Sequence, residues 1–348
     1  MNAAPFSLLP EWAPQSGVML TWPHAETDWA PLLDEVVDCY LRIAAAIVEY
    51  EPLLIVTPEP DAVRRQLSAA LSPAEMSRVR LFECPTDDTW ARDHGFLTLG
   101  GPRPALLDFR FNGWGGKFAA ERDNAVNRRL FDAGMVRGEY RDHLDFELEG
   151  GSIETDGCGT LLTTEECLLN ANRNGGLTRA EAEERLAQLL GVSRFLWLGN
   201  GYLAGDDTDS HIDTLARFAS ADTILYSAAP TVDEHHSALS AMARELQAFR
   251  TADGRPYRLL PLPIPEPIVD ECGERLPATY ANFLILNGAV LVPVYGQPRC
   301  DEAALATVAL AFADRAVKGV DCRALIRQHG SLHCATMQLP AGVLPPCD

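Results

Sequence analysis

Residues 282–295 read NFLILNGAVLVPVY, two apolar runs joined by Asn287-Gly288. Asn-Gly between hydrophobic runs is the strongest short-range signal for a β-hairpin closed by a two-residue turn. Three further segments have the same organisation, and their turns are expected at Gly100-Gly101, at Asp156-Gly157 and near Ala221-Asp222. The sequence therefore predicts β-hairpins spread through the whole chain.

Amphipathic helices and single apolar strands are predicted between the hairpins. The helical pattern covers residues 31–49, 60–71, 123–134, 178–190, 231–250 and 301–317. The helix that begins after Thr178 opens with a capping box completed by Glu181. Short apolar runs predict single strands at Leu53–Thr57, Val79–Glu83, Phe195–Leu198 and Tyr257–Leu262. The recurring order predicts ββαβ modules, with an irregular first copy and closure by the C-terminal segment.

Each hairpin is preceded by a short polar segment, and a fifth such segment lies near the C-terminus. These segments are Arg92–Gly95, Leu148–Gly151, Ser210–Asp213, Tyr280–Asn282 and Leu332–Cys334. They begin about 55 to 70 residues apart, which is the spacing of an internal structural repeat. Because each module exposes an apolar face to its neighbours, a stack or a ring is the stable arrangement. We expect one closed α/β unit over residues 1–348 with the polar segments around an axis.

Strand geometry predicts which of these polar side chains point together. Residues two apart in a strand face the same side, so His211 and Asp213 are expected to form a pair. Adjacent residues face opposite sides, which makes His333 a poor candidate for the base that serves Cys334. If Cys334 is a nucleophile, His211 is the better candidate partner.

The two other acidic candidates are less specific when each is considered alone. Asp93 and Glu149 would each suit a surface ion pair or a turn. Gly150-Gly151 removes side chains next to Glu149, which would let a substrate approach closely. The loop Gly113–Lys117 is also poor in side chains, but it lacks the spacing of a P-loop or a dinucleotide motif, so nucleotide binding is rejected.

Composition limits the classes of function. The formal net charge of −20 argues against nucleic-acid or anionic-membrane binding. It would favour a cationic substrate, although solubility alone explains it equally well. Nine cysteines without a CxxC pair suit neither a disulfide framework nor a zinc site. The N-terminal sequence lacks the pattern of a signal peptide, and no apolar run approaches the ~20 residues of a membrane span. A cytoplasmic protein is expected.

Taken together, the motifs resemble the agmatine deiminase and bacterial-type peptidylarginine deiminase family. The segments that carry the resemblance are PEWAPQSGVMLTWP (10–23), TWARDHG (89–95), WGGK (114–117), LEGGS (148–152), DTDSHID (207–213), YANF (280–283) and GSLHCATMQ (330–338). The resemblance implies the guanidine-modifying superfamily fold, a five-bladed pseudo-symmetric α/β-propeller (pentein) of ββαβ modules around a central active site. It covers nearly the whole chain in the family's order.

The resemblance also implies roles for individual residues. Cys334 would be the nucleophile, His211 the acid and base, and Glu149 the carboxylate beside His211. Asp93 and Asp213 would bind the guanidinium, and Trp90 would line the substrate channel. Two departures leave the recognition of the substrate tail open. The family often has GGGNIHC where this chain has QHGSLHC, and often a glycine where this chain has Ser210.

The activity implied is agmatine iminohydrolase, which converts agmatine and water to N-carbamoylputrescine and ammonia for putrescine synthesis. It would proceed through a covalent amidino-cysteine without metal or organic cofactor. Because nearby carboxylates oppose thiolate formation, the thiol is expected to ionise mainly when substrate is bound. Alternatives are deimination of free arginine, peptidyl arginine or methylarginine, amidino transfer to an amine, and a non-catalytic binding module of the same fold. The expected partner is a small cationic guanidine, and a homo-oligomer is compatible with the sequence.

Overall fold

A computed structural model of the protein describes residues 6–346. The two ends of the predicted unit, residues 1–5 and 347–348, lie outside the described residues. The strands are β1 Ser7–Leu8, β2 Gln15–Thr21, β3 Leu53–Thr57, β4 Val79–Glu83, β5 Leu97–Gly100, β6 Ala105–Arg110, β7 Glu139–Glu147, β8 Ile153–Thr155, β9 Thr160–Thr164, β10 Arg194–Leu198, β11 Ala216–Ser220, β12 Thr223–Ala228, β13 Arg258–Pro263, β14 Leu284–Ile285, β15 Ala289–Val294, β16 Ala316–Asp321 and β17 Thr336–Pro340.

Helices connect the strands. They are α1 Leu33–Val48, α2 Pro60–Ala70, α3 Pro73–Met76, α4 Ala91–His94, α5 Gly113–Gly116, α6 Glu121–Asn124, α7 Val126–Asp132, α8 Glu165–Leu168, α9 Arg179–Leu190, α10 His236–Ala248 and α11 Pro298–Ala311. The predicted capping box is present at the start of α9, where Thr178 Oγ1 accepts from Glu181 N–H and Glu181 accepts from Thr178 N–H. In the described part of the chain no helix has the length and apolar character needed to cross a membrane.

The strands form five sheets, and each sheet contains the predicted ββαβ pattern. The strand orders are β1-β5-β6-β7, β10-β9-β8, β11-β12-β13, β14-β15-β16 and β17-β2-β3-β4. In each sheet an antiparallel pair is followed by a parallel strand that a helix connects to the pair. The fold is therefore α/β with mixed sheets.

The sheet that contains β2 is completed by the other end of the chain. Strand β17 pairs antiparallel with β2, with Thr336 opposite Leu20 and Met337 opposite Met19. The C-terminal segment thus completes the irregular first module, whereas the sequence had predicted that the last module closes on it.

Buried apolar side chains hold the helices against the sheets. Every residue of β3 is buried, and α1 turns Val36, Tyr40, Ile43 and Ile47 toward the core. Each such side chain contributes about 1.5–3 kcal/mol of transfer free energy when it is fully buried. The packing leaves the segments that precede β5, β8, β11, β14 and β17 as the places where polar side chains enter the interior.

Two local predictions were wrong. The polar segments are not strands: Asp93 lies in the single-turn helix α4, Gly150–Ser152 and Ile212–Thr214 are 3₁₀ turns, and Cys334 lies in a turn. Their side-chain directions therefore do not follow strand alternation. The helix predicted over 301–317 ends at Ala311, and residues 316–321 form β16. This edge strand is half exposed and contains Lys318 and Gly319, so its apolar signal is weak.

Candidate active site

Five buried side chains from the polar segments lie around one small region. They are Asp93, Glu149, His211, Asp213 and Cys334, with exposed fractions between 0% and 6%. They come from the segments that precede β5, β8, β11 and β17, strands of four different sheets. Because these segments form turns, their side chains can converge. The structure thus brings together the residues that the sequence predicted to carry chemistry.

The thiol of Cys334 is surrounded by polar groups. Asn282 Nδ2 lies 3.3 Å from Cys334 Sγ, and Asp213 Oδ2 lies 3.7 Å from it. Asn282 Oδ1 also accepts from the backbone N–H groups of His333 and Cys334, at 2.8 and 3.2 Å. Burial, Asp213 and Asp93 raise the pKa of the Cys334 thiol well above its usual range. The free protein therefore holds a neutral thiol.

Asp213 has one oxygen bound and one oxygen free. Its Oδ2 accepts from His333 Nδ1 at 2.7 Å and from Asn282 Nδ2 at 3.3 Å, whereas Oδ1 has no partner among the described residues. Burial alone would raise the pKa of Asp213, but the hydrogen bond and charge of His333 lower it below its usual value. A buried carboxylate with a free oxygen is suited to a cationic hydrogen-bond donor.

Asp93 is bound only by neutral donors. Trp114 Nε1 donates to Oδ2 and the Gly151 N–H donates to Oδ1, both at 2.9 Å. Burial raises the pKa of Asp93 to about 8, and repulsion from Asp213 and Glu149 adds to the effect. Trp114 has a backbone φ of 53°, which costs a non-glycine residue about 1–2 kcal/mol.

His211 has neither ring nitrogen hydrogen bonded within the described chain, although the side chain is fully buried. Its Nδ1 lies 3.7 Å from Asp93 Oδ1. Burial lowers the pKa of His211 to about 3, against the opposing effect of Asp213. The imidazole is therefore neutral in the free protein and able to accept a proton.

Glu149 lies near His211 but is bound elsewhere. Arg173 Nε contacts its two oxygens at 2.8 and 2.9 Å, and Arg173 Nη1 also contacts Asp209 Oδ2 at 2.6 Å. Burial raises the pKa of Glu149, with Arg173 acting in the opposite direction. The pair fixes Glu149 beneath the histidine.

Gly151 keeps a gap open between three of these groups. A Cβ atom at this position would lie 2.7 Å from His211 Nδ1, 2.8 Å from Asp93 Oδ1 and 3.1 Å from Asp213 Oδ2. Any side chain would therefore fill the space that the three polar groups face. A small planar cation is the kind of group that two carboxylates and an imidazole could surround there.

A narrow cleft leads from the surface to this region. Its buried lining includes Cys334, Asp93, Trp90 and Trp114, and its more exposed lining includes Phe118 and three acids, Asp28, Asp88 and Asp207. Within the described part of the chain no arginine or lysine lines it, and its basic side chain is His329. Trp90 is among the lining residues, and its role in a substrate channel stays a prediction. It packs directly on Gly330, where a Cβ would come within 2.2 Å of the indole.

Sequence reasoning missed four residues that contact the site. Asn282 was singled out by its place in the repeat but was given no role. Trp114 was considered only as part of a phosphate loop, His333 only as a base for Cys334, and no local signal pointed to Arg173.

Two groups of side chains have the donor types of a metal site. They are Glu149, Cys167 and His211, and Glu11, Glu154 and His333, each with ligand atoms within 4.8 Å of one another. In each group a buried arginine already binds a carboxylate, Arg173 in the first and Arg217 in the second. The positive charge of these arginines opposes a cation, and the expectation of a site without metal stays a prediction.

Comparison with known proteins places this geometry among enzymes of one kind. The sequence model of the Porphyromonas-type peptidyl-arginine deiminases matches residues 7–340. The agmatine deiminase of Ectopseudomonas mendocina (strain ymp) is 34% identical, covering 97% of this chain and 96% of that protein. A solved structure of a proposed arginine deiminase from Porphyromonas gingivalis is 53% identical, with a TM-score of 0.91, covering 98% of this chain and 100% of the other. A Cys→Ser variant of the C. jejuni agmatine deiminase, solved with substrate bound, is 38% identical with a TM-score of 0.89 and 97% coverage of both chains.

Proposed function

The chain belongs to the Porphyromonas-type peptidyl-arginine deiminase family, and we propose that it is an agmatine iminohydrolase. The reaction is agmatine plus water to N-carbamoylputrescine plus ammonia, a hydrolysis of a C–N bond that would feed putrescine synthesis. Relatives about one third identical over nearly the whole chain are named agmatine deiminases, which supports this assignment.

The acid-lined cavity that ends at Cys334 is the observation that carries the proposal. Agmatine has a guanidinium at one end and an ammonium at the other. The thiol and Asp93 lie at the buried end of the cavity, and Asp28, Asp88 and Asp207 lie at the exposed end. Free arginine would bring an α-carboxylate toward these acids, and among residues 6–346 the lining offers no lysine or arginine to receive it and only His329 as a basic side chain. The electrostatics therefore favour a substrate with two positive charges.

The gap beside Gly151 suits the guanidinium. Asp93 Oδ1 and Asp213 Oδ2 both face this gap, so both carboxylates can accept N–H groups from one planar cation. Such charge-assisted bonds would fix the guanidinium carbon against Cys334 Sγ. Positioning of this kind can supply about 7–11 kcal/mol of the barrier reduction.

The reaction proceeds in two halves. With substrate bound, the Cys334 thiol gives its proton to neutral His211, and the thiolate attacks the guanidinium carbon to form a C–S bond. The His211 imidazolium then protonates the departing nitrogen, the C–N bond breaks and ammonia leaves. In the second half His211 takes a proton from water and the hydroxide adds to the carbon. The C–S bond then breaks, the hydroxyl proton passes to the leaving sulfur, and the ureido product is released. His211 gives its proton to the ammonia or to solvent, which restores the neutral thiol and imidazole.

The charges of the free site agree with this sequence of proton transfers. Burial and neighbouring acids raise the pKa of the Cys334 thiol, and burial lowers the pKa of His211 to about 3, so neither group is charged before substrate binds. The guanidinium brings the positive charge that stabilises the thiolate. Glu149, held by Arg173, would stabilise the His211 imidazolium once it forms.

We also propose that the five sheets are the blades of a pentein propeller with this site at its centre. The recurring ββαβ pattern and the likeness to solved agmatine deiminases support the arrangement. A homo-oligomeric state and a cytoplasmic location stay predictions from the sequence.

A substrate panel tests the function. Ammonia release would be measured with agmatine, free arginine, a peptidyl arginine and a methylarginine, with Cys334→Ser as the inactive control. We expect turnover of agmatine to exceed that of the other guanidines by about 10- to 100-fold, because a second favourable charge contact alone contributes roughly 1.5–3 kcal/mol. Absence of agmatine turnover, or faster turnover of arginine, would reject the proposal. Product analysis with an added amine separates hydrolysis from amidino transfer.

A further inference from the structure

A buried ion network lies next to Asp213. Its members are Glu11, Arg92, Glu154, Arg217 and His333. Arg217 is fully buried, binds Glu11 and Glu154, and lies over the Phe283 ring at 4.6 Å. The mechanism described above uses none of these five side chains, although one of them contacts Asp213 directly.

That side chain is His333, and its ring is fixed at both nitrogens. Nδ1 lies 2.7 Å from Asp213 Oδ2, and Nε2 lies 2.7 Å from Glu11 Oε1. The backbone N–H of His333 also donates to Asn282 Oδ1 at 2.8 Å. The imidazole therefore joins a carboxylate of the proposed substrate site to a carboxylate of the network.

The contact with His333 fixes the orientation of the Asp213 carboxylate. Oδ2 accepts from His333 and Asn282, and Oδ1 has no partner among residues 6–346. Resting on the proposed function, we propose that His333 is a positioning residue, whose Nδ1–H holds Asp213 Oδ2 and so fixes the carboxylate at the gap that would receive the guanidinium. His333 would act through Asp213 without touching the substrate.

Both charge states of the ring that fit the contacts carry the required proton. A carboxylate only accepts hydrogen bonds, so short contacts to carboxylates at both nitrogens describe an imidazolium. In the neutral Nδ1–H tautomer, Nε2 instead accepts from Arg217 Nη2, which lies 3.0 Å away. Burial, Arg217 and Arg92 lower the pKa of His333, whereas Glu11 and Asp213 act in the opposite direction. Nδ1 is protonated in either case.

A matched pair of amide variants separates positioning from packing. In His333→Asn the amide nitrogen can replace Nδ1 and donate to Asp213, but the contact with Glu11 is lost. In His333→Gln the amide reaches the place of Nε2, so the contact with Glu11 is kept and the bond to Asp213 is lost. A residue that only packed the network would not distinguish the two variants in this direction.

We expect His333→Asn to retain kcat/KM for agmatine within about 5-fold of the parent. His333→Gln should lose about 10- to 100-fold, mainly through a higher KM, because a bond to a charged buried group is removed. Equal losses in both variants, or a larger loss in His333→Asn, would overturn the proposal. Melting temperatures of both variants establish that each is folded at the assay temperature.

A second measurement on the unaltered protein does not depend on turnover. Nitrogen-15 spectra of histidine-labelled protein report the protonation of each ring, and the His333 signals are identified by their loss in His333→Asn. An imidazolium or an Nδ1–H tautomer supports the proposal, and a neutral Nε2–H tautomer rejects it. If the parent protein turned over no guanidine, the proposed function would fail while this measurement still decided the state of the His333–Asp213 bond.

Discussion

Asp93 and Asp213 face the same gap beside Gly151, yet the protein prepares the two carboxyl groups differently. Asp93 is bound by neutral donors, Trp114 Nε1–H and a backbone N–H, and burial followed by repulsion from neighbouring acids raises its pKa to about 8. Asp213 is bound by His333, which lowers its pKa despite burial. One acid is ionised before substrate arrives, and the other holds a proton through most of the neutral range.

The difference shows how a buried site can wait for a cation. Two adjacent carboxylates, both ionised and buried, would repel each other in the empty site. A proton on Asp93 removes that repulsion. Under the proposed function, a bound guanidinium would replace the proton as the positive partner, and binding would be linked to proton release. Both acids would be ionised and bind the guanidinium in the complex, although only Asp213 is ionised in the free protein.

The largest expected effect comes from removing each acid in turn. Loss of one partner of a buried charge pair costs about 2–5 kcal/mol. Asp213→Asn should therefore lower kcat/KM for agmatine by about 1000-fold, and Asp93→Asn by about 100-fold, because Asp93 must first give up its proton. Steady-state kinetics at pH 7.5 measures both. Asp108→Asn, which removes a buried acid bound to Tyr140 and Asn127, is the matched control. Equal losses of kcat/KM at the two positions would contradict the proposed difference between Asp93 and Asp213.

Proton release on binding tests the linkage itself. In a Cys334→Ser background, which removes the titrating thiol, calorimetric titration with agmatine in buffers of different ionisation enthalpy should show release of about one proton near pH 7. The release should fade above pH 8, where Asp93 is already ionised in the free protein. Adding Asp93→Asn should abolish it. A release that persists in the double variant would assign the proton to another group.

In the absence of ligand, replacing Asp93 and replacing Asp213 by asparagine should change the melting temperature in opposite directions. The pKa of Asp93 is raised from 3.8 to about 8, so the folded state binds a proton that the unfolded chain releases between these values, and stability falls as pH rises through that window. Asp93→Asn should therefore raise Tm by a few degrees at pH 8 and by less at pH 5.

Asp213 has the opposite sign, because its lowered pKa stabilises the fold above the unfolded value and this contribution is lost on acidification. Asp213→Asn should lower Tm at pH 7, since His333 loses an ionised partner. Scanning calorimetry of both variants at pH 5, 7 and 8 measures the difference in Tm. A drop in Tm for Asp93→Asn at pH 8 would contradict the raised pKa.

The smallest effect is expected from Trp114→Phe, which removes the indole donor to Asp93 Oδ2. Loss of this bond should raise the pKa of Asp93 further. KM for agmatine at pH 7 should increase about 3- to 10-fold, and the pH at which KM becomes constant should move upward. Trp22→Phe, which removes an indole donor to Gln66, serves as the control. A KM profile that does not move with pH would exclude a link from Trp114 to Asp93.

The parts of the fold that the sequence predicted correctly are those determined by residues close together in the chain. Asn287-Gly288 does join β14 and β15, and the capping box at Thr178 does open α9. The entry segments of the sheets were located but not their conformation, because a polar residue next to a strand can equally well begin a 3₁₀ turn. Strand β16 was not predicted, because the helical pattern before it is stronger than its own apolar pattern.

The candidate site was predicted only as far as the repeat and the family resemblance reached. The five polar candidates converge, but their roles stay predictions. Arg173 holds Glu149 from a loop 24 residues away, and Glu11 contacts His333 across 322 residues. No local pattern encodes such partners, because they are chosen by the tertiary packing of segments that are distant in sequence.

The pairing of β17 with β2 has a consequence for the order in which the protein becomes competent. Cys334 lies two residues before β17, whose partner strand is more than 300 residues earlier in the chain. During translation the acids, the imidazole and Asn282 all emerge before the sulfur that they surround. Under the proposed function, the nascent protein therefore cannot form the covalent amidino-cysteine until β17 is made and pairs with β2, and a chain that stalls before Cys334 lacks the nucleophile.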